Sequence, residues 1–109
     1  MQLNHERKGD TVIVTVAEPR LDASMAVAFK EGFRRIVGPD VPHAVLDLSN
    51  VEFLDSSGLG ALVTALKYMG GERRLDLVGL QPLVEKVLAL TRMDKVFSIR
   101  SSLDEALGA

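Results

Sequence analysis

Residues 43–71 read HAVLDLSNVEFLDSSGLGALVTALKYMGG, and this stretch decides the fold class. Its first six residues form a short apolar run that is typical of a buried, parallel strand. Further along, Gly70-Gly71 is a typical helix end, and the residues before it have apolar side chains at helical spacing. The stretch therefore predicts a strand followed by a helix that opens at Ser56 or Ser57. The apolar positions of that helix are Leu59, Leu62, Val63 and Leu66.

On the amino-terminal side, the sequence predicts a hairpin and a helix. β-branched residues between Thr11 and Val16 indicate a strand, and Gly9-Asp10 predicts a turn from an earlier strand at about residues 2–7. A helix follows, with Asp22 or Ser24 as its candidate N-cap. Gly38-Pro39 ends it. Its apolar face is formed by Met25, Phe29, Phe33, Ile36 and Val37.

On the carboxyl-terminal side, the same alternation continues. Residues 75–78 predict a strand, Pro82 suits the first turn of a third helix, and residues 96–99 predict a last strand. Ser102 and Glu105 have the spacing of a capping box before a terminal helix. The predicted order is β-β-α-β-α-β-α-β-α in a single domain over residues 1–109, an α/β fold with a mixed, mainly parallel sheet.

Composition excludes several classes of function. The 109 residues carry a formal net charge of −2, which does not favour binding to a phosphate backbone, so we expect no direct contact with nucleic acid. There is no cysteine for a disulfide or a thiol nucleophile. The amino terminus lacks the apolar core of a signal peptide, and no apolar run is long enough to insert into a membrane. We therefore expect a cytoplasmic protein.

The chain also lacks the usual signs of catalysis. Neither His5 nor His43 has a partner at metal-ligand spacing, so the sequence predicts no metal site. Asp47 and Asp55 are more typical of turn caps than of an acid/base pair, and Gly58-x-Gly60 is no dinucleotide fingerprint. We predict no catalytic residue, no cofactor and no enzyme. The basic pairs Arg34-Arg35 and Arg73-Arg74 are interpreted as solvated surface, with partner contact as the alternative.

The segment Asp55-Ser56-Ser57-Gly58-Leu59-Gly60 is unusual for a helix start. Each glycine costs about 1 kcal/mol of helix propensity relative to alanine, which suggests close packing or the close approach of another molecule. A serine here can act as an N-cap. Two roles are open for Asp55: capping the turn or orienting the Ser56 hydroxyl.

Residues 53–60, Phe-Leu-Asp-Ser-Ser-Gly-Leu-Gly, resemble the signature of the STAS domain in the subgroup of bacterial anti-sigma-factor antagonists. Leu21-Asp22 and the run Val45-Leu46-Asp47-Leu48 are also similar to the family pattern, and the resemblance covers essentially the whole chain. The family often has Gly-Glu where this chain has Pro19-Arg20, at a partner-facing edge. That departure concerns the identity of the partner more than the fold.

The resemblance implies a switch. Ser56 would be phosphorylated by a partner that is both anti-sigma factor and serine kinase; the unphosphorylated chain would bind this partner and displace a sigma factor. With Ser56 as the phosphate acceptor, Ser57 is the better candidate for the structural cap. The alternative is an unphosphorylated STAS interaction module, in a signalling scaffold or a membrane-transport accessory complex. A small serine hydrolase with His43 as a distant base is a third possibility, and the sequence is compatible with a monomer or a weak homodimer. The implied partner-binding residues are Asp22, Asp55, Ser56, Ser57, Gly58, Leu59 and Gly60.

Overall fold

A computed structural model describes residues 1–108 of the chain. Among these residues, strands alternate with helices from one end to the other. In chain order the elements are β1 (Leu3–Lys8), β2 (Thr11–Val16), β3 (Arg20–Leu21), α1 (Ala26–Ile36), β4 (His43–Asp47), β5 (Phe53–Leu54), α2 (Ser56–Met69), β6 (Arg74–Val78), α3 (Pro82–Leu90), a short 3-10 turn (Met93–Lys95), β7 (Ser98–Ile99) and α4 (Leu103–Ala106).

The main sheet has five strands in the order β1-β2-β4-β6-β7. β1 and β2 form an antiparallel hairpin, and the other neighbouring pairs are parallel. The predicted mixed, mainly parallel sheet in an α/β fold is therefore confirmed. The sequence did not predict β3 and β5, which form a separate parallel pair of two residues each. Strands this short have too few positions for a two-residue periodicity to be recognised.

The two faces of the main sheet are covered unequally. Alternate residues of β2, β4 and β6 point into a large core that also receives apolar side chains of α1, α2 and α3. The opposite face holds a small cluster, in which Ala106 of α4 packs on Ile13, Val45 and Val78. α1 and α2 thus lie side by side on one face, and their amino-terminal ends lie near the short β3–β5 pair.

The capping predictions were partly wrong. Helix α1 begins at Ala26 with no side-chain cap, whereas Asp22 or Ser24 was expected to cap it. Instead, the Asp22 carboxylate accepts hydrogen bonds from the backbone N–H and the hydroxyl of Ser24, one turn before the helix. Ser102 does cap α4 by accepting from the N–H of Glu105. The carboxylate of Glu105, however, accepts from Ser101 rather than from the capping serine.

The last strand is shorter than residues 96–99, because the 3-10 turn extends into that region. The N–H groups of Val96 and Phe97 both donate to the carbonyl oxygen of Met93, so only Ser98 and Ile99 pair with β6. Phe97 is nevertheless buried, since it packs into the main core. Its apolar character marks a core position and not a strand.

Arg73 is not the solvated surface residue that the sequence indicated. Its guanidinium is half-buried and donates to the carbonyl oxygens of Gly38 (2.8 Å), Val41 (3.2 Å), Tyr68 (2.9 Å) and Met69 (3.1 Å). It also lies 4.9 Å from the centre of the Tyr68 ring. One side chain therefore joins the end of α2 to the loop that follows α1.

Asp76 in the middle of β6 is a buried carboxylate that sequence reasoning missed. It is fully buried and lies 2.7 Å from Nε2 of His43, 3.0 Å from Arg74 and 3.5 Å from Arg100. Burial by itself would raise the pKa of Asp76, but hydrogen bonds from Ser98, His43 and Arg74 outweigh it, so the pKa is lowered. The carboxylate thus stays ionised and holds three strands together.

Candidate partner-binding site at the start of helix α2

Asp55 is the N-cap of α2 and also ties this helix to the start of the α1 region. Its Oδ1 accepts a hydrogen bond from the N–H of Gly58 at 2.8 Å, and its Oδ2 accepts from the N–H of Ala23 at 3.2 Å. Of the two roles open for Asp55, the structure shows the cap. The prediction that Ser57 is the structural cap was wrong, because the side chain of Asp55, a residue with extended backbone, already accepts the hydrogen bond of the cap.

Ser56 and Ser57 are consequently available at the surface. They are the first two residues of α2, and both side chains are exposed. The first backbone N–H groups of a helix have no intrahelical acceptor and favour an anion. Because Asp55 occupies the N–H of Gly58, the donors left for a further anion are those that lie beside the two exposed serines.

The two glycines of the segment differ in their surroundings. A Cβ atom added to Gly58 would lie 2.0 Å from the carbonyl oxygen of Leu21 and 2.8 Å from Cδ1 of Leu54. Gly58 is therefore required for close packing inside the chain. Gly60 is exposed, and a Cβ there would meet nothing within 4 Å. Only at Gly60 does the small residue leave open space for another molecule.

Leu59 and Asp22 complete the set of predicted residues. Leu59 is half-buried and packs against the main core, so its side chain supports the helix. Asp22 is only 19% exposed and pairs with Arg20, whose Nε lies 3.1 Å from its Oδ2. Hydrogen bonds from Ser24 and Arg20 lower the pKa of Asp22. The tie between Asp55 and Ala23 brings this loop next to the start of α2.

Sequence reasoning did not single out the pairing of β3 with β5, which carries the predicted site. Arg20 and Phe53 are register partners, and the guanidinium of Arg20 lies 4.1 Å above the centre of the Phe53 ring. The backbone N–H groups of Glu52 and Phe53 both donate to the carbonyl oxygen of Pro19. These contacts hold the segment before α1, residues 19–22, next to the start of α2, although the two segments are about thirty residues apart in the chain.

The remaining candidates lie elsewhere. His43 opens β4, where its ring contacts Thr11 and Asp76, and a strand length separates it from the carboxyl edge that leads to Ser56. It therefore does not supply a base to either serine. Asp47 accepts from the N–H of Ser49 at 3.0 Å, as expected for a turn cap. Arg34 and Arg35 are exposed in the last turn of α1.

No helix in residues 1–108 is long and apolar enough to cross a membrane. Over the same range, no three or more His, Asp or Glu side chains are grouped in a way that could hold a metal ion.

Three features define the start of α2. Ser56 is exposed as its first residue, Asp55 is its cap, and Gly58 fits against the preceding loop. The STAS-domain model matches residues 2–106 of the chain. The chain belongs to the STAS-domain family. Most of the chain, including all the predicted site residues, lies inside the matched range.

The most informative relatives of this STAS domain are bacterial. It is 30% identical over 108 residues to a Mycobacterium tuberculosis protein named anti-sigma-F factor antagonist RsfB, covering 90% of this chain and 88% of the relative. The crystal structure of a putative anti-sigma factor antagonist from Thermotoga maritima superposes with a TM-score of 0.88 at 30% identity, covering 97% of this chain and 92% of that one. An anti-sigma factor antagonist from Mycobacterium paratuberculosis also gives a TM-score of 0.88, at 31% identity and with 98% and 91% coverage. This STAS domain is thus similar to the anti-sigma-factor antagonist subgroup, as the sequence predicted.

Proposed function

We propose that this STAS domain is an anti-sigma-factor antagonist whose binding to an anti-sigma factor with serine-kinase activity is switched off by phosphorylation of Ser56. The observation that carries the proposal is the geometry of α2: an exposed serine at its first residue, beside a carboxylate cap whose two oxygens both bind backbone N–H groups. The names of the mycobacterial and Thermotoga relatives support the same class of partner.

The rigid backbone around Ser56 makes it a suitable phosphate acceptor. Asp55 fixes the first turn from two sides and Gly58 fits against Leu21, so modification of the neighbouring hydroxyl need not disturb the core. A phosphate carries about −1.5 to −2 charges at neutral pH, and the helix dipole offsets part of its repulsion with Asp55. We therefore expect the phosphorylated domain to remain folded.

Binding should respond far more strongly than folding. To move an equilibrium from about 1:99 to about 99:1 takes roughly 5.5 kcal/mol, and a dianion that must be desolvated in an interface can supply much of this. The acidic residues already at the site, Asp22 and Asp55, would repel an added phosphate when a partner covers it. The phosphate would thus act as a local block at the surface.

The test uses the purified chain and the serine-kinase anti-sigma factor from the same genome. We expect one phosphate per chain after incubation with ATP, located at Ser56 by peptide mass spectrometry. We also expect Ser56→Asp to abolish binding, while Ser56→Ala, which removes the same hydroxyl without adding a charge, keeps most of it. Equally tight complexes of the kinase with wild type and Ser56→Asp would contradict the mechanism. An intact mass without phosphate in the native host, with no kinase binding, would favour the unphosphorylated interaction module.

A further inference from the structure

Arg20 is the single basic residue in the two segments that form the predicted binding site. Residues 18–24 and 52–60 contain the carboxylates of Glu18, Asp22, Glu52 and Asp55, but no other lysine or arginine. Within these two segments, a partner would meet four negative charges and one positive charge. Such a pattern of charges fixes register and selects among partners more than it adds affinity.

The arginine is held in place and is still accessible. Its guanidinium lies 4.1 Å above the Phe53 ring, and its Nε is 3.1 Å from Oδ2 of Asp22, yet its side chain is 55% exposed. Stacking and pairing restrict its rotamers before any partner arrives, so less conformational entropy is lost on binding. A guanidinium has five N–H donors, and the contact with Asp22 uses that of Nε.

We propose that Arg20 is a specificity-determining residue that binds a carboxylate on the surface of the anti-sigma factor, an inference that rests on the function proposed above. The two Nη groups provide the planar, two-pronged geometry that suits a carboxylate. The partner surface should therefore place an acidic side chain over Arg20. An anti-sigma factor with a basic residue at that point would meet repulsion and be rejected.

The test measures the dissociation constant of the complex with the kinase, without ATP, at about 0.05 M and about 0.5 M NaCl. At the lower salt concentration we expect Arg20→Gln to weaken binding about tenfold and Arg20→Glu more, because a like charge then faces the partner carboxylate. Arg20→Lys should fall between wild type and Arg20→Gln, because it keeps the charge and loses the planar fork. The difference between wild type and Arg20→Gln should shrink at the higher salt concentration.

The matched control is Arg35→Glu, the same charge reversal at an exposed arginine in the last turn of α1. Thirteen residues separate it from Asp22, which in a largely helical segment is about 20 Å. It should bind within about twofold of wild type. Thermal melts of all variants, which should match wild type, exclude unfolding as a cause of weaker binding.

Three outcomes would overturn the inference. If Arg20→Gln and Arg20→Glu bind as wild type does, Arg20 has no contact with a partner charge, and the proposed function stands without it. If the loss is undiminished at high salt, Arg20 only supports the loop at Asp22. If wild type itself fails to bind the kinase, the proposed function and this inference both fail. Rescue of Arg20→Glu by a lysine at one carboxylate of the partner would identify the pair directly.

Discussion

The two ends of helix α2 use polar groups in opposite ways. At the carboxyl end, the guanidinium of Arg73 donates to four backbone carbonyls and stacks on Tyr68, so its hydrogen-bonding capacity is used inside the chain. At the amino end, Asp55 satisfies the backbone and leaves the hydroxyls of Ser56 and Ser57 at the surface. A binding site needs both features: a backbone fixed by one residue and side chains left exposed by it.

The same contrast separates the two glycines at the amino end. Gly58 faces inward and has no room for a methyl group, whereas Gly60 faces outward and has ample room. One glycine therefore belongs to the fixed part of the site, and the other belongs to its exposed part. The following changes test that division, from the largest expected effect on stability to the smallest.

Gly58→Ala should destabilise the domain by about 3 kcal/mol, because the new methyl group would overlap the carbonyl oxygen of Leu21 and the backbone must move. Urea unfolding measures the change. The matched control is Gly60→Ala, which meets nothing and should stabilise α2 by about 0.5–1 kcal/mol. Equal effects of the two changes would show that the glycines do not differ as described.

Arg73→Met should cost about 2 kcal/mol, because it keeps the aliphatic stem but leaves carbonyl oxygens of the α1–β4 loop and of the end of α2 without their donor. Since Arg73 lies at the other end of the helix, kinase binding should not change. A loss of binding in a folded Arg73→Met protein would contradict the separation of the two ends. Lys67→Met, at an exposed residue in the last turn of α2, serves as the control.

Asp55→Ala should cost about 1–2 kcal/mol, because it removes the helix cap and the link to Ala23 together. Ser57→Ala should change the free energy of unfolding by less than about 0.5 kcal/mol, because the exposed serine is not the cap. Chemical denaturation of both variants compares them directly. A larger loss in Ser57→Ala than in Asp55→Ala would restore the serine as the cap.

Ser56→Asp should have the smallest effect on folding, within about 0.5 kcal/mol. A carboxylate at the first residue of α2 gains from the helix dipole but is repelled by Asp55. Differential scanning calorimetry at two salt concentrations checks this balance, because both terms are electrostatic and both should shrink as salt screens them. A marked drop in Tm would mean that this end of α2 is less rigid than its hydrogen bonds indicate.

The predictions made from the sequence were accurate where one segment contained the whole signal. The central strands β2, β4 and β6 follow from apolar runs, and β1 follows from the Gly9-Asp10 turn. α2 ends at Gly70 as expected, and Pro82 opens α3. The predictions failed where two segments had to meet. The sequence allowed Asp55 to be a helix cap. Its second hydrogen bond, from the N–H of Ala23, depends on a contact across 32 positions of the chain and could not be predicted.

The charged residues show the same limit. A charge inside an apolar strand was the one available sign that Asp76 is buried, and no local pattern could reveal that His43, Arg74 and Arg100 surround it. Arg73 next to Arg74 resembled an ordinary solvated pair. Arg73 donates to the carbonyl oxygens of the α1–β4 loop, whereas Arg74 pairs with Asp76. The packing of α1 against α2 places those carbonyl oxygens within reach of Arg73 alone.

The sequence by itself determined the α/β class, the element order and the segment that carries the site, because periodicity, turn residues and the Asp-Ser-Ser-Gly-Leu-Gly pattern are local. Tertiary structure alone decided which residue caps α2, which glycine is required and which arginine is left exposed beside Phe53. Those roles depend on distances between β3, β5 and the start of α2, and such distances exist only after the chain has folded.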